Sequence, residues 1–391
     1  DIHPDYTFVS GSFLQDQMLD FGSGAYPIFF DYNNDGLMDI LSGNYGYSDT
    51  CIYTPATGLQ CTFSSRIALL LNTGTSVEPA FKLVDRNIAF LDTLMMQSLI
   101  PALADMDGDG DADLVCGNSK GKLVYCENVA LPGQAAEFRL ADPAWHGIDV
   151  GDFSAPHLFD VDQDGLTDLV CGKRNGTLSY YRNTGSADEA QFTLVSELFG
   201  GVDVTNTQLS NYGYSTPCFY KDKNGETILF TGSEFGEIYV FDQINNNLDG
   251  NFRFLGVLPG INEGWRSGVA IGNLNSDTLT DLQLGNYSGG TGLFYGKPDK
   301  IFGIQPPADG NGSRLTVVPN PAASVVEVTY TSGENKAMYL AIRGVDGKMV
   351  REYKNISFPF SFEVSELING VYFITVLTSR GMLTSKLIVC R

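Results

Sequence analysis

Short apolar runs, split by clusters of Gly, Asn and Asp, dominate the first three quarters of the chain, and few windows place apolar residues at helical spacing. That pattern predicts an all-β protein. The runs recur behind Asp-rich loops. Asp31-Tyr-Asn-Asn-Asp-Gly-Leu-Met-Asp39 precedes ILSGN, Asp105-Met-Asp-Gly-Asp-Gly-Asp-Ala-Asp113 precedes LVCGN, and Asp160-Val-Asp-Gln-Asp-Gly-Leu-Thr-Asp168 precedes LVCGK. Tyr220-Lys-Asp-Lys-Asn-Gly-Glu-Thr-Ile228, a degenerate copy, precedes LFTGS, and Asn273-Leu-Asn-Ser-Asp-Thr-Leu-Thr-Asp281 precedes LQLGN.

The copies start roughly 55 to 75 residues apart, a spacing that suits a four-stranded propeller blade. The long first interval reflects an insertion near 46–65. In the third copy the strands read as Ala155–Phe159, Leu166–Gly172, Thr177–Arg182 and Gln191–Ser196, with turns at Asn175-Gly176 and Asn183-Thr-Gly185; Gly121 and Gly236 mark the same hairpin elsewhere. Such a sheet has two apolar faces and needs neighbours, hence a ring. The fifth copy stops after Gly292–Tyr295, and Tyr6-Thr-Phe-Val9 offers the missing strand. Pairing the two closes a ring of five; a larger ring with blades upstream is the alternative.

Composition narrows the function. A formal net charge of -22 disfavours nucleic acid and anionic membranes as partners. No stretch reaches the roughly 18 apolar residues of a spanning helix. Asp1 does not begin a signal peptide, so a secreted product is expected to have lost a leader or to carry more sequence upstream. The seven Cys form no metal-binding spacing. Cys51 and Cys61 bracket the insertion and suit a disulfide, while Cys116 and Cys171 read as small buried apolar residues.

Much of the acid is concentrated in the loops. Oxygen donors at positions 1, 3, 5 and 9, with a backbone carbonyl at 7, suit a hard divalent cation. The candidate ligands are Asp31, Asn33, Asp35, Leu37 and Asp39; Asp105, Asp107, Asp109, Asp111 and Asp113; Asp160, Asp162, Asp164, Leu166 and Asp168; and Asn273, Asn275, Asp277, Leu279 and Asp281. Clustered carboxylates repel by several kcal/mol unless a cation neutralises them, so three or four structural Ca2+ sites are expected. The fifth copy has Thr278 where Gly stands in others, and the fourth reads as a simple turn. These are not EF-hands: position 12 is Ser42, Cys116 or Cys171, not Glu.

Phe21-Gly-Ser-Gly-Ala-Tyr-Pro27 and Phe153-Ser-Ala-Pro156, each just ahead of such a loop, resemble FG-GAP (VCBS-type) repeats. The resemblance covers about residues 1–302. It implies an integrin-α-like β-propeller with calcium in the loop joining the first two strands of a blade, and extracellular ligand binding; the family also includes propellers of polysaccharide lyases.

Around 303–314 a Pro/Gly-rich polar stretch reads as a linker. Beyond it, 315–391 predicts seven short strands: Leu315–Val318, Val325–Tyr330, Ala337–Arg343, Lys348–Tyr353, Phe360–Val364, Val371–Thr378 and Thr384–Val389. Asp346-Gly347 makes a hairpin turn. This predicts a small seven-stranded Ig-like β-sandwich. Val318-Pro-Asn-Pro321, Gly344-Val-Asp-Gly-Lys348, Leu367-Ile-Asn-Gly-Val-Tyr-Phe373 and Lys386-Leu-Ile-Val389, in that order, resemble the type A C-terminal sorting domain of the Bacteroidetes type IX secretion system. That likeness implies engagement of the outer-membrane translocon and sorting machinery through 315–391, then release or attachment at the cell surface.

No catalytic constellation is visible. His3, His146 and His157 are the only His, and Glu234 and Glu263 are the acids outside the loops that stand out. Asn44-Tyr-Gly-Tyr47, Asn211-Tyr-Gly-Tyr214, Asn262-Glu-Gly-Trp265 and Asn286-Tyr-Ser288 offer aromatics beside amides, suited to sugar or peptide, or else to packing between blades. The expected function is a secreted or surface adhesin or glycan/protein-binding propeller. Alternatives are the propeller portion of a polysaccharide lyase or hydrolase and a structural surface repeat protein.

Overall fold

The computed structural model describes residues 5–10, 21–275, 277, 279–297, 314–318, 322, 324–331, 336–344, 349–378 and 381–389. The chain divides into two compact units, Asp1–Gly303 and Ile304–Arg391. The predicted linker lies almost wholly outside the described residues, as do His3, Thr278, Pro319–Pro321 and the Asp346-Gly347 turn.

Strand β1 covers Asp5–Ser10. The first complete sheet begins with β2 (Tyr26–Phe30) and β3 (Asp39–Gly43). A hairpin of β4 (Tyr47–Thr54) and β5 (Gly58–Ser64) then intervenes. The sheet finishes with β6 (Ile67–Asn72) and β7 (Phe81–Asp85). Cys51 and Cys61 face each other across the hairpin and are bonded as a disulfide. The second sheet comprises β8 (Ile100–Ala104), β9 (Asp113–Gly117), β10 (Leu123–Asn128) and β11 (Phe138–Asp142). The third comprises β12 (Ser154–Phe159), β13 (Asp168–Lys173), β14 (Leu178–Asn183) and β15 (Phe192–Ser196). The fourth comprises β16 (Thr216–Lys221), β17 (Thr227–Gly232), β18 (Tyr239–Asp242) and β19 (Arg253–Val257). The fifth comprises β20 (Gly268–Gly272), β21 (Asp281–Gly285) and β22 (Thr291–Lys297).

The fifth sheet takes its outer strand from β1, which runs antiparallel to β22 with Tyr6 opposite Gly296 and Phe8 opposite Phe294. The leading strands β2, β8, β12, β16 and β20 touch in a closed cycle. Apolar clusters fill the space between each pair of neighbours. Leu41, Ile67 and Leu69 meet Leu114, Cys116 and Val124. On the far side, Ile40 and Leu70 meet Leu274 and Leu293. Second strands such as Asp39–Gly43 and Asp113–Gly117 are therefore buried along their whole length. That is why they read as continuous apolar runs rather than alternating ones.

The Gly at or next to the end of every second strand is set by this packing. A Cβ on Gly117 would sit 2.1 Å from the Ser154 carbonyl oxygen of the next sheet, and one on Gly285 would sit 2.0 Å from the Ala25 oxygen of the first. No side chain fits there, so the motif repeats with the sheets.

The C-terminal unit pairs a three-stranded sheet, β23 (Arg314–Val318), β24 (Val325–Thr331) and β27 (Phe360–Glu363), with a four-stranded one. The latter runs β26 (Met349–Ser357), β25 (Lys336–Gly344), β28 (Gly370–Thr378) and β29 (Gly381–Val389). Val326, Val328 and Phe362 from one sheet and Leu340, Ile342, Ile374 and Leu387 from the other share one core. Several of these strands, β26 and β29 most of all, extend beyond the predicted limits because paired neighbours continue their ladders.

Candidate metal centres and the channel mouth

Each Asp-rich loop joins the first and second strands of its sheet. In the second loop, carboxylate oxygens of Asp105, Asp107 and Asp109 lie within 4.8 Å of one another; in the third, those of Asp160, Asp162 and Asp168 do. The turn is sharp because Gly110 and Gly165 adopt φ of 95° and 93°, where L side chains are strained. The first carboxylate of each loop also shapes it: Asp105 accepts the Gly110 N–H at 3.1 Å, and Asp160 accepts the Gly165 N–H at 3.1 Å. Asp31 accepts the Gly36 N–H at 2.9 Å in the first loop.

The ninth position has a second task that the sequence reading missed. Asp168 is fully buried. Its oxygens accept N–H groups from Val161 at 3.2 Å and Asn183 at 2.8 Å, and the Tyr180 hydroxyl at 3.0 Å. Asp113 does the same with Met106, Asn128 and Tyr125. Asp39 binds Tyr32 and Asn72, and Asp281 binds Leu274 and Gly296. Each acid thus buckles the loop to the end of the third strand. There, Asn72, Asn128 and Asn183 pass the link on, each accepting two N–H groups of the turn into the fourth strand. Burial pushes Asp39, Asp113 and Asp168 up to about 6.

The fit to a cation is direct. Asp160 Oδ1 and Asp111 Oδ1 are buried with no hydrogen-bond partner, a cost that a bound ion would remove. Burial raises Asp107 and Asp111, and neighbouring acids add to it by a smaller amount. In the third loop Arg182 reaches in, 2.6 Å from Asp162 Oδ2 and 3.3 Å from Asp164 Oδ2. The first loop carries Asp31, Asp35 and Asp39 with Asn33, and the fifth has only Asp277 and Asp281 with Asn273 and Asn275. In the fourth copy Tyr220 and Ile228 pair across β16 and β17, and Asp222 closes the turn by accepting Asn224 and Glu226 N–H groups, both at 2.8 Å.

The opposite ends of the sheets form a second repeated frame. A residue one or two places before each leading strand donates its N–H to the loop after the preceding sheet's second strand. Ser98 bonds Tyr45 at 3.0 Å, Phe153 bonds Ser119 at 3.1 Å, Tyr214 bonds Arg174 at 3.1 Å and Arg266 bonds Glu234 at 2.9 Å. Gly24 bonds Tyr287 at 2.7 Å and closes the set. All five donors have left-handed φ, from 48° at Tyr214 to 79° at Gly24, at about 1–2 kcal/mol for each non-Gly residue.

This frame brings the four aromatic loops together. Tyr45 and Tyr287 rings lie 5.3 Å apart, Tyr214 packs edge-on against Phe153 at 5.0 Å, and the Tyr287 N–H bonds the Trp265 carbonyl at 2.6 Å. The Arg266 guanidinium lies 3.9 Å from the Tyr214 ring and 4.6 Å from that of Tyr287; Arg174 lies 4.0 Å from Tyr212. Neither arginine stood out in the sequence, and only the ring arrangement singles them out. His157 lines the channel beneath. Its Nε2 accepts the Phe219 N–H at 3.0 Å, and burial lowers it to about 4. It is a hydrogen-bonded interior group. His146 packs against Trp145 and Phe192. Glu234 is buried at the mouth, and burial raises Glu263.

Two segments of the chain match known families. Residues 31–116 match the FG-GAP-like repeat, and residues 316–390 match the secretion system C-terminal sorting domain. A GH43_1 enzyme from Xanthomonas citri aligns with a TM-score of 0.42 and 12% identity, covering 77% of this chain and 95% of that one. The extracellular domain of a one component system from B. thetaiotaomicron aligns with a TM-score of 0.29 and 11% identity, covering 99% of this chain and 60% of that one. No curated protein matches the chain. The chain carries an FG-GAP-like repeat in its propeller and a type IX C-terminal sorting domain that marks it for secretion or outer-membrane surface attachment in Bacteroidetes.

Proposed function

We propose that this is an exported, calcium-stabilised propeller that acts by binding, through the mouth opposite its Asp loops. The supporting observation is the convergence there of four aromatic loops on one strained and repeated backbone frame. Backbone strain of this kind persists where surrounding structure fixes it, and it concentrates at functional sites. Calcium belongs to the other face. It holds the loops of the first three sheets and, more weakly, the fifth, where fewer carboxylates stand. An array of polysaccharides and matrix proteins probed with the calcium-loaded chain tests the binding role. Retention of at least one class, lost on Tyr287→Ala, is expected; no retention, or turnover of a retained glycan, contradicts it.

Two further outcomes follow. Arg182 is a resident competitor for the third loop's carboxylates, so Arg182→Ala is expected to tighten calcium at that loop roughly three- to tenfold. Calorimetric titration reads this, and unchanged affinity would show that the arginine does not compete. Deleting 316–390 is expected to leave the protein in the periplasm, measured by cell fractionation; undiminished surface display of the truncated chain would refute the export role of this unit.

A further inference from the structure

The repeated frame at the mouth is broken in one sector. In the third and fourth sheets a serine at the start of the leading strand is satisfied, whereas Ala25 and Leu99 stand at that place in the first and second. Ser154 Oγ accepts the Asn118 N–H at 2.8 Å and donates to the Lys122 carbonyl at 2.8 Å. Ser215 Oγ accepts the Lys173 N–H at 2.9 Å and donates to the Thr177 carbonyl at 2.8 Å. Between the fourth and fifth sheets the counterpart is Ser267, and its Oγ has no partner. Ser233 Oγ and Glu234 Oε2 beside it have none either, although these residues are 0%, 1% and 7% exposed. They form one patch, because the Ser267 N–H bonds the Ser233 carbonyl and the Arg266 N–H bonds that of Glu234. Arg266 completes it. Its guanidinium rests against the Tyr214 and Tyr287 rings, and its buried Nε has no hydrogen-bond partner. Trp265, next in the chain, is 60% exposed.

Buried polar atoms left without partners are uncommon, and each costs about 1–3 kcal/mol. Here three lie together beside a planar cation already held in place by aromatic rings. We propose that this sector binds a carboxylate-bearing sugar, a uronate unit of an acidic polysaccharide. The guanidinium fork matches a carboxylate with two parallel N–H bonds. Trp265 offers a flat face to the C–H side of a pyranose. The buried, unpartnered oxygens of Glu234 and the two serines are reached through water that bridges them to ring hydroxyls. A neutral sugar would leave the Arg266 fork unpaired. A nucleic-acid backbone would bring dense negative charge onto Glu234 and a strongly acidic chain. The net charge of -22 does not prevent local capture of a single carboxylate, since exposed charges are screened beyond about 8 Å at physiological ionic strength.

This inference rests on the mouth being the binding face. The test is calorimetric titration of the full chain, at saturating calcium, with short oligogalacturonates and oligoglucuronates and with their carboxyl-reduced, neutral counterparts. One acidic series is expected to bind at least tenfold more tightly than its reduced form. Arg266→Gln is expected to remove that preference, and Arg266→Lys to restore it in part. Trp265→Ala, at an exposed side chain, is expected to weaken both forms without lowering the melting temperature, and it keeps the test open should the arginine variants fold poorly. Equal affinity for acidic and reduced forms overturns the proposal, as does an acid preference that survives Arg266→Gln, or absence of binding to either series. Retention of other ligands on the array in those cases leaves the binding role standing; silence there as well removes both.

Discussion

Chelation of divalent ions is expected to lower the melting temperature of the propeller unit by roughly 10 °C. At about 1 mM calcium, a site with a dissociation constant near 10 μM stabilises the folded state by about 2.7 kcal/mol. The two three-carboxylate clusters therefore contribute roughly 5 kcal/mol, and a domain of this size shifts by about 2 °C or more per kcal/mol. A bound ion would remove two costs at once: repulsion among Asp105, Asp107 and Asp109, and the orphaned Oδ1 atoms of Asp111 and Asp160. Scanning calorimetry with and without chelator reads the shift. A midpoint that does not move would mean that the loops hold their shape without an ion.

Asp168→Ala is expected to destabilise even with calcium saturating, by about 4 kcal/mol. It leaves the Val161 and Asn183 N–H groups and the Tyr180 hydroxyl without their acceptor inside the sheet, at about 1–3 kcal/mol each. Asp162→Asn, by contrast, keeps these bonds and is expected to reduce the calcium-dependent part of the stability alone. Denaturant titration of both variants with and without calcium separates the two roles. Equal calcium dependence in Asp168→Ala and wild type, with no loss of stability, would remove the buckle from the account.

The periodic parts of this molecule were legible in its sequence. The Asp-rich loops, the apolar second strands and the Gly at or next to the end of each of them repeat because one packing problem is solved five times over. Even the pairing of Tyr6–Val9 with the last strand could be read, since the fifth copy lacks its outer strand. What stayed hidden is what depends on the ring. Asp113 and Asp168 look like ligands alone in a linear reading, and only the sheet shows that the third strand also uses their oxygens. Arg266 and Glu234 lie 32 residues apart by the chain and carry no motif. They meet because Arg266 takes a left-handed backbone, φ 53°, to reach the neighbouring loop. The aromatic loops were visible one by one, whereas their convergence needed the topology.

Equilibrium dialysis against calcium, followed by elemental analysis of the retained protein, tests the central claim most directly. At least two ions per chain are expected, falling when Asp107→Asn and Asp162→Asn are combined. A chain that retains none, or one whose bound calcium is indifferent to those substitutions, would contradict the account.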